Sequence, residues 1–354
     1  MQEIKIKDKL IGENRPIFIV AEMACSHNGS IKIAKKIIDA AAQSKADAIN
    51  FQMTDLPSYM VKDYSAGGIS QGKDKSDIYK YLEKIIWFKE KEWQELFNFA
   101  RHKDLIISAT VNDLESARIA TKLGVDIYQI HSSSLGEKDL VAKVAQSNKP
   151  ICLKIGGTFL GEIERVIALI KEKGNDQLML QHGFQSYPTK IEEVNLKYIP
   201  TLKALFSLPV GYGDHTDGSD PLALIVPLLS IPFGVSFLEK HITHNRNDKC
   251  EDFESALGPD DFKKFVQYVR IAEKSLGQSH IHLFSEDESN YRNISKKRVV
   301  AKVDIKIGEK ITQDKIAFKR ANQGLLPDEA HYLFNRKTKE AIAKDQPITW
   351  DKLQ

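Results

Sequence analysis

The stretch LPVGYGDHTDG, Leu208–Gly218, opens apolar, passes through two glycines and ends in an aspartate, a histidine and a turn. A buried strand that emerges into solvent reads this way, and it places His215 at the strand's C-terminal end. The same texture recurs along the chain. IFIVAE (17–22), DAINFQ (47–52), LIISAT (105–110), VDIYQI (125–130), PICLKI (150–155), LMLQH (178–182) and GVSFLEK (234–240) are short apolar, β-rich runs. Amphipathic helical stretches separate most of them; IKIAKKIIDAAAQSKA (31–46) and GEIERVIALIKEKG (161–174) carry apolar residues at i, i+3, i+4 and i+7. Eight strands alternating with helices predict an α/β fold, a (β/α)8 TIM barrel. The rival is an open doubly wound sheet, and its dinucleotide-binding form is weakened because no GxGxxG follows the first strand.

Composition sets the outer limits. The 354 residues are 42% hydrophobic and 28% charged, with 51 basic and 48 acidic side chains and a net charge of +3. That is globular, with no global basic field for nucleic acid. Three widely spaced cysteines, Cys25, Cys152 and Cys250, fit a reducing compartment better than a disulfide framework, and the polar start MQEIKIKDKLIGENRP is no signal peptide. The expectation is a cytoplasmic protein. One apolar run, Pro221–Lys240, approaches the length of a membrane span, but its three prolines, glycine and two serines read as a buried helix, a turn and a strand.

The texture changes after Gly277. We expect a barrel over 1–277, a polar linker over 278–289 and a small, mostly β domain over 290–354. The linker pair His280 and His282 reads as solvated, and Trp87 and Trp93 read as helical core. Lys296–Arg298 reads as a solvated turn, and the long second loop, 54–75 with Gly67 and Gly68, as a lid over the site.

In a TIM barrel the chemistry lies at the C-terminal ends of the strands. There the chain places Glu22, then Asn50 and Gln52, then Thr110, Asn112 and Asp113, then His131–Ser134. Lys154, His182, Asp214 with His215, and Glu239 with Lys240 and His241 follow. One polar strand end is unremarked surface; polar ends on all eight point to a site. His215 and His241 occupy equivalent positions on adjacent strands, so their imidazoles can converge on a divalent metal. The bland alternative makes one of them a strand cap and the other a bonded core histidine.

The set AEMACSHNGS (21–30), ADAINFQ (46–52), LQHGFQSYPT (180–189), GYGDHT (211–216) and EKHIT with DFESALGPDDF (239–262) resembles the sialic acid synthases, with their pseudaminic and legionaminic relatives. VAKVDIKIGEKIT (300–312) and KRANQGL (319–325) resemble their antifreeze-like (SAF) domain. The resemblance implies a transferase reaction: phosphoenolpyruvate condenses with an N-acyl amino-sugar aldehyde and phosphate leaves. It implies manganese or magnesium on His215 and His241, with Glu22 as base or orienter. It makes Asp252 a contact to sugar hydroxyls and places Asn28, Gln52, Tyr187 and Glu239 in the pocket, with Asp214 orienting His215. Thr110, Ser132, Lys154 and His182 complete the substrate-binding set. Arg320 would reach the N-acyl group in the other subunit of a domain-swapped homodimer.

The chain departs from that pattern where the family binds the donor's phosphate and carboxylate. Asn50 and Gln129 stand at lysine positions, Ser134 at a glutamate position, and Lys154-Ile155-Gly156 where Ser-Thr-Gly is usual. The family's Arg-Pro-Gly in the small domain is Arg320-Ala321-Asn322. Lys154, Ser132–Ser134 and the amides near Gly156 and Gly157 are candidates to rebuild an anion site. Two further readings follow: a diverged aldolase or lyase, in which Lys154 is an anion-binding cation or a Schiff-base amine, and a non-enzymatic sugar-binding protein. Retention of Glu22, His215, His241 and Asp252 together argues against the last.

Overall fold

The computed structural model describes residues 2–64, 78–183, 186–277 and 283–354. His280, His282 and the second half of the expected lid, Gly67 and Gly68 included, lie outside them. Contacts divide the chain into two compact units, Met1–Gly277 and Gln278–Gln354.

The first unit is a closed, all-parallel eight-stranded barrel. A short antiparallel hairpin, β1 (Ile4–Ile6) and β2 (Lys9–Ile11), precedes it. The barrel strands are β3 (Phe18–Glu22), β4 (Ala48–Met53), β5 (Ile106–Val111) and β6 (Ile127–Ile130). They continue with β7 (Ile151–Lys154), β8 (Leu178–His182), β9 (Val210–Asp214) and β10 (Phe237–His241), which pairs with β3 and closes the barrel. Each predicted apolar run became one strand. The hairpin was not anticipated, although Ile4 and Ile6 alternate with Lys5 and Lys7 as a half-buried strand should.

Strand side chains alternate between axis and helix layer. The axis-facing set at the N-terminal end is apolar: Phe18, Val20, Ile106, Ile127, Met179 and Phe237 pack with Ile4, Ile6 and Ile11 of the hairpin, which therefore plugs that mouth. The outward set packs on the helices. In the helix Ile31–Gln43, Ser30 caps the first turn while Ala34, Ile37, Ile38 and Ala41 face the strands. Asp113, read as a strand-end polar residue, caps the helix Leu114–Leu123, accepting from the Ser116 N–H at 2.7 Å. Trp93 is buried in the helix Glu90–Arg101, whereas Trp87 sits in the preceding loop and is 37% exposed.

The Pro221–Lys240 run resolves into the helix Leu222–Leu229, a turn of 3-10 helix and β10. No helix among the described residues is long and apolar enough to cross a membrane. All three cysteines are free and buried.

In the second unit β11 (Lys297–Ala301) pairs antiparallel with β12 (Ile316–Arg320) over a core of Val299, Ile305, Ile311, Leu333, Ile342 and Ile348. The run Lys296–Arg298 thus leads into a strand rather than a turn. Residues 286–289, expected as linker, begin the helix Glu286–Ser295. Ser285 and Glu288 form a reciprocal capping box, a local signal that the polar composition obscured.

On the outer face of β9 and β10, Lys240 donates to Asp214, which also accepts from the Tyr212 hydroxyl at 2.8 Å and the Thr216 hydroxyl at 2.6 Å. Both charged groups are fully buried. Lys240→Met strands the Asp214 charge and should cost about 3–5 kcal/mol of stability. Urea denaturation measures this; a loss below about 1 kcal/mol would show the pair is dispensable.

Candidate active site

Above the apolar plug, the next axis-facing positions are polar. Glu22 of β3, Asn50 of β4, Ser108 and Thr110 of β5, Gln129 of β6, Lys154 of β7, Gln181 of β8 and Glu239 of β10 are all buried. Lys154 crosses the barrel: its ammonium lies 2.9 Å from Glu22 Oε2 and 2.9 Å from Glu239 Oε1. Asn50 donates to Glu22 Oε2 at 2.7 Å and to Thr110 Oγ1 at 2.8 Å. Gln129 donates to Glu239 Oε2 at 2.7 Å, and Gln181 to Glu239 Oε1 at 2.8 Å. The Ala24 N–H donates to Glu22 Oε1 at 2.8 Å.

The two carboxylates are not equivalent. Burial raises the Glu22 pKa, against the Lys154 ammonium, with the Glu239 charge adding to the rise. Burial also opposes ionisation of Glu239, but Lys154 and the amides of Gln181 and Gln129 prevail and hold its pKa below the usual range. Lys154 loses solvation by burial, yet its two carboxylates raise its pKa. An ammonium held this way is not a free amine, so the Schiff-base role considered for Lys154 does not fit its surroundings.

Beyond this layer two imidazoles meet. His215 follows β9 and His241 ends β10, both on the axis side, with ring centroids 5.1 Å apart. The Tyr187 ring covers them, 4.4 Å from His215 and 5.8 Å from His241. The glycines of the opening stretch explain the crowding below. A side chain at Gly211 would meet the Phe237 ring, and one at Gly213 would meet the Gln181 amide that reaches Glu239.

Burial, with His215 and the two lysines adding to it, drops the His241 pKa well below the usual imidazole range. Its Nδ1 is buried and has no hydrogen-bond partner among the described residues. A neutral imidazole with an unengaged nitrogen beside a second imidazole fits a divalent cation. Among the described residues no group of three histidines, cysteines or acids is arranged to hold a metal.

Not every predicted residue converges here. Asp214 faces the helix layer, bound to Lys240, because His215 takes the axis side and strand neighbours alternate. For the same reason His182 points outward, bonded to the Val194 carbonyl at 2.9 Å and packed beside Tyr198 and Tyr212, while Gln181 points in. Gln181 was missed; its parity relative to His182 was the available signal. Gln52 and Ser132 are half-buried at the rim, and Asn28 is exposed in a left-handed turn, φ 48°. Ser134 is buried, with its hydroxyl donating to the Asn112 carbonyl at 3.3 Å. The buried His27 accepts from the Gly29 N–H and packs against Phe88, with the two rings tilted by 37°. Arg320 ends β12 and is exposed, in the second unit.

Residues 37–281 match the NeuB family. The chain belongs to it. Residues 297–354 match the SAF domain, so a TIM barrel and a SAF domain make up this NeuB-family chain. It is 35% identical to a protein of Methanocaldococcus jannaschii over all of this chain and 99% of that one. The N,N'-diacetyllegionaminic acid synthase of Campylobacter jejuni is 31% identical over 87% of this chain and 91% of its own. A crystal structure of N-acetylneuraminic acid synthetase from Leptospira borgpetersenii, in complex with citrate, superposes with a TM-score of 0.71 at 30% identity, covering 82% of this chain and 96% of that one. NeuB membership thus places the chain among sialic-acid-type synthases.

Asp252 sits near this NeuB-type centre in a left-handed conformation, φ 62°. Burial, then the charges of Glu251, Glu22 and Glu254, raise its pKa to about 8. From about 4, the pKa of an unfolded carboxyl, up to about 8 the folded chain holds a proton that the unfolded chain releases. Stability therefore falls as pH rises through that window. Asp252→Asn, which tolerates the left-handed backbone, should flatten this fall in denaturation midpoints taken from pH 4 to pH 8. An unchanged slope would show that the Asp252 carboxyl is not the group responsible.

Proposed function

We propose that the chain joins a three-carbon donor to the aldehyde carbon of an open-chain N-acyl amino sugar, giving a sialic-acid-like 2-keto-3-deoxy acid. The observation that carries this reading is the convergence of His215, His241 and Tyr187 beyond two ion-paired carboxylates, at the functional end of a NeuB-family barrel.

A divalent metal, manganese or magnesium, held by His215 and His241 would supply Lewis acidity toward the acceptor's carbonyl oxygen. The chain's own groups do the rest. Tyr187 shields the imidazoles from bulk water. Lys154 fixes Glu22 and Glu239 toward the reaction space, and Glu22 moves the proton. Asp252, protonated at neutral pH by its raised pKa, donates to a sugar hydroxyl, a bond an ionised carboxylate could not donate.

His215→Ala and His241→Ala should each weaken manganese binding by roughly tenfold to a hundredfold in calorimetric titration. Each should abolish formation of 2-keto-3-deoxy acid from N-acetylmannosamine with either pyruvate or phosphoenolpyruvate. Circular dichroism should stay native. Full turnover, or undiminished metal binding, in either variant would sink the two-histidine assignment.

A further inference from the structure

We propose that the donor is an unphosphorylated 2-keto acid of the pyruvate class, so that the chain catalyses a reversible aldol reaction rather than a phosphate-releasing condensation. This deepens the function proposed above and rests on it.

The hydrogen-bond inventory of the polar layer carries the inference. A phosphoryl dianion is held by ammonium, guanidinium or N–H groups aimed at it. Among the described axis-facing residues of the strands, Lys154 is the one cation, and it is shared between Glu22 and Glu239 at 2.9 Å each. The amide NH2 groups of Asn50, Gln129 and Gln181 are spent in the same way, on the two carboxylates and the Thr110 hydroxyl.

What the layer has left is accepting oxygen. Asn50 Oδ1 is fully buried and has no partner, and it asks for a donor, not for a phosphoryl oxygen. The space that a side chain at Gly213 would take is filled by Gln181, which closes the layer on that side. The divalent ion proposed on His215 and His241 answers the carboxylate that either donor carries. Phosphoenolpyruvate also brings a phosphoryl dianion, and within the layer the one ammonium is already matched by two carboxylates. That dianion is left without a charge partner there.

The step balances without a leaving group. Glu22 Oε1, which accepts the Ala24 N–H, takes a proton from the methyl carbon of pyruvate. The C–H electron pair becomes the enolate double bond as the keto carbonyl pair moves onto the keto oxygen. That pair then returns to re-form the ketone while the enolate carbon bonds to the aldehyde carbon. The carbonyl pair moves onto the aldehyde oxygen, which regains the proton from Glu22. The product is a 4-hydroxy-2-keto acid, and the reverse sequence cleaves it.

The test uses the full chain in D2O with magnesium and follows the methyl proton signal of pyruvate by NMR, so that no acceptor need be known. Pyruvate and phosphoenolpyruvate are also titrated calorimetrically, with and without magnesium. The expected result is methyl exchange roughly a hundredfold above metal alone, lost in Glu22→Gln, with heat of binding from pyruvate and none from phosphoenolpyruvate. Phosphate release from phosphoenolpyruvate in the presence of N-acetylmannosamine overturns the inference and leaves the proposed function standing. If the folded, metal-loaded chain neither binds nor turns over either donor, both fall. Exchange unchanged in Glu22→Gln overturns the proton transfer as written.

Discussion

Lys154 is the constraint on which the barrel interior depends. Its ammonium lies 2.9 Å from a carboxylate of β3 and 2.9 Å from a carboxylate of β10, although its own strand, β7, is across the barrel from both. Three charged groups this deep would be prohibitive if any were unpaired. The remaining polar residues are therefore committed to satisfying them. Gln129 and Gln181 complete Glu239, and Asn50 completes Glu22. The glycine at 213 is part of the same arrangement, because a β-carbon there would displace the Gln181 amide.

This network recasts the departures noted in the sequence. Asn50, Gln129 and Lys154 differ from the family pattern at separate strands, and read singly each looks like a lost or gained contact to an anion. In the folded chain they are one unit. A lysine at position 50 or 129 would sit against Lys154 and compete for the same carboxylates, so the exchange of cation between strands has to be concerted. That is why Lys154 is not a spare cation waiting for a phosphate, as spacing alone allowed.

The barrel was legible because eight apolar runs alternate with helical periods over most of the chain, and the match of each run to a strand follows from that period. What the runs did not convey was parity. Listing every polar residue at a strand end joined Asp214 to His215 and selected His182 over Gln181, although adjacent residues on a strand face opposite ways. The hairpin and the helix Glu286–Ser295 escaped for a different reason. Each is short and specified by local devices, alternating isoleucines in one and a capping box in the other, inside segments whose average composition is polar. The departing lysines were legible as substitutions but not as a network, since the pairs span 132 residues between Glu22 and Lys154 and 110 between Gln129 and Glu239.

Parity also accounts for the stretch that contains His215. Outward, Tyr212, Asp214 and Thr216 form a hydrogen-bonded ladder closed by Lys240, which ties β9 to β10 from behind. Inward, Gly211 and Gly213 have no side chains, so the Phe237 ring and the Gln181 amide fill the axis, and His215 follows as the first axis-facing side chain of that strand. The rigid outer ladder lets the inner face be mostly backbone without loosening the strand. Holding two imidazoles about the same point requires that neither strand slide, since a one-residue slip of either would turn its own histidine into the helix layer. The buried Lys240–Asp214 pair therefore acts on the site through register, besides the downward push that the Lys240 charge gives the His241 pKa. That is a sufficient reason for a charged pair to persist where apolar residues would pack as well.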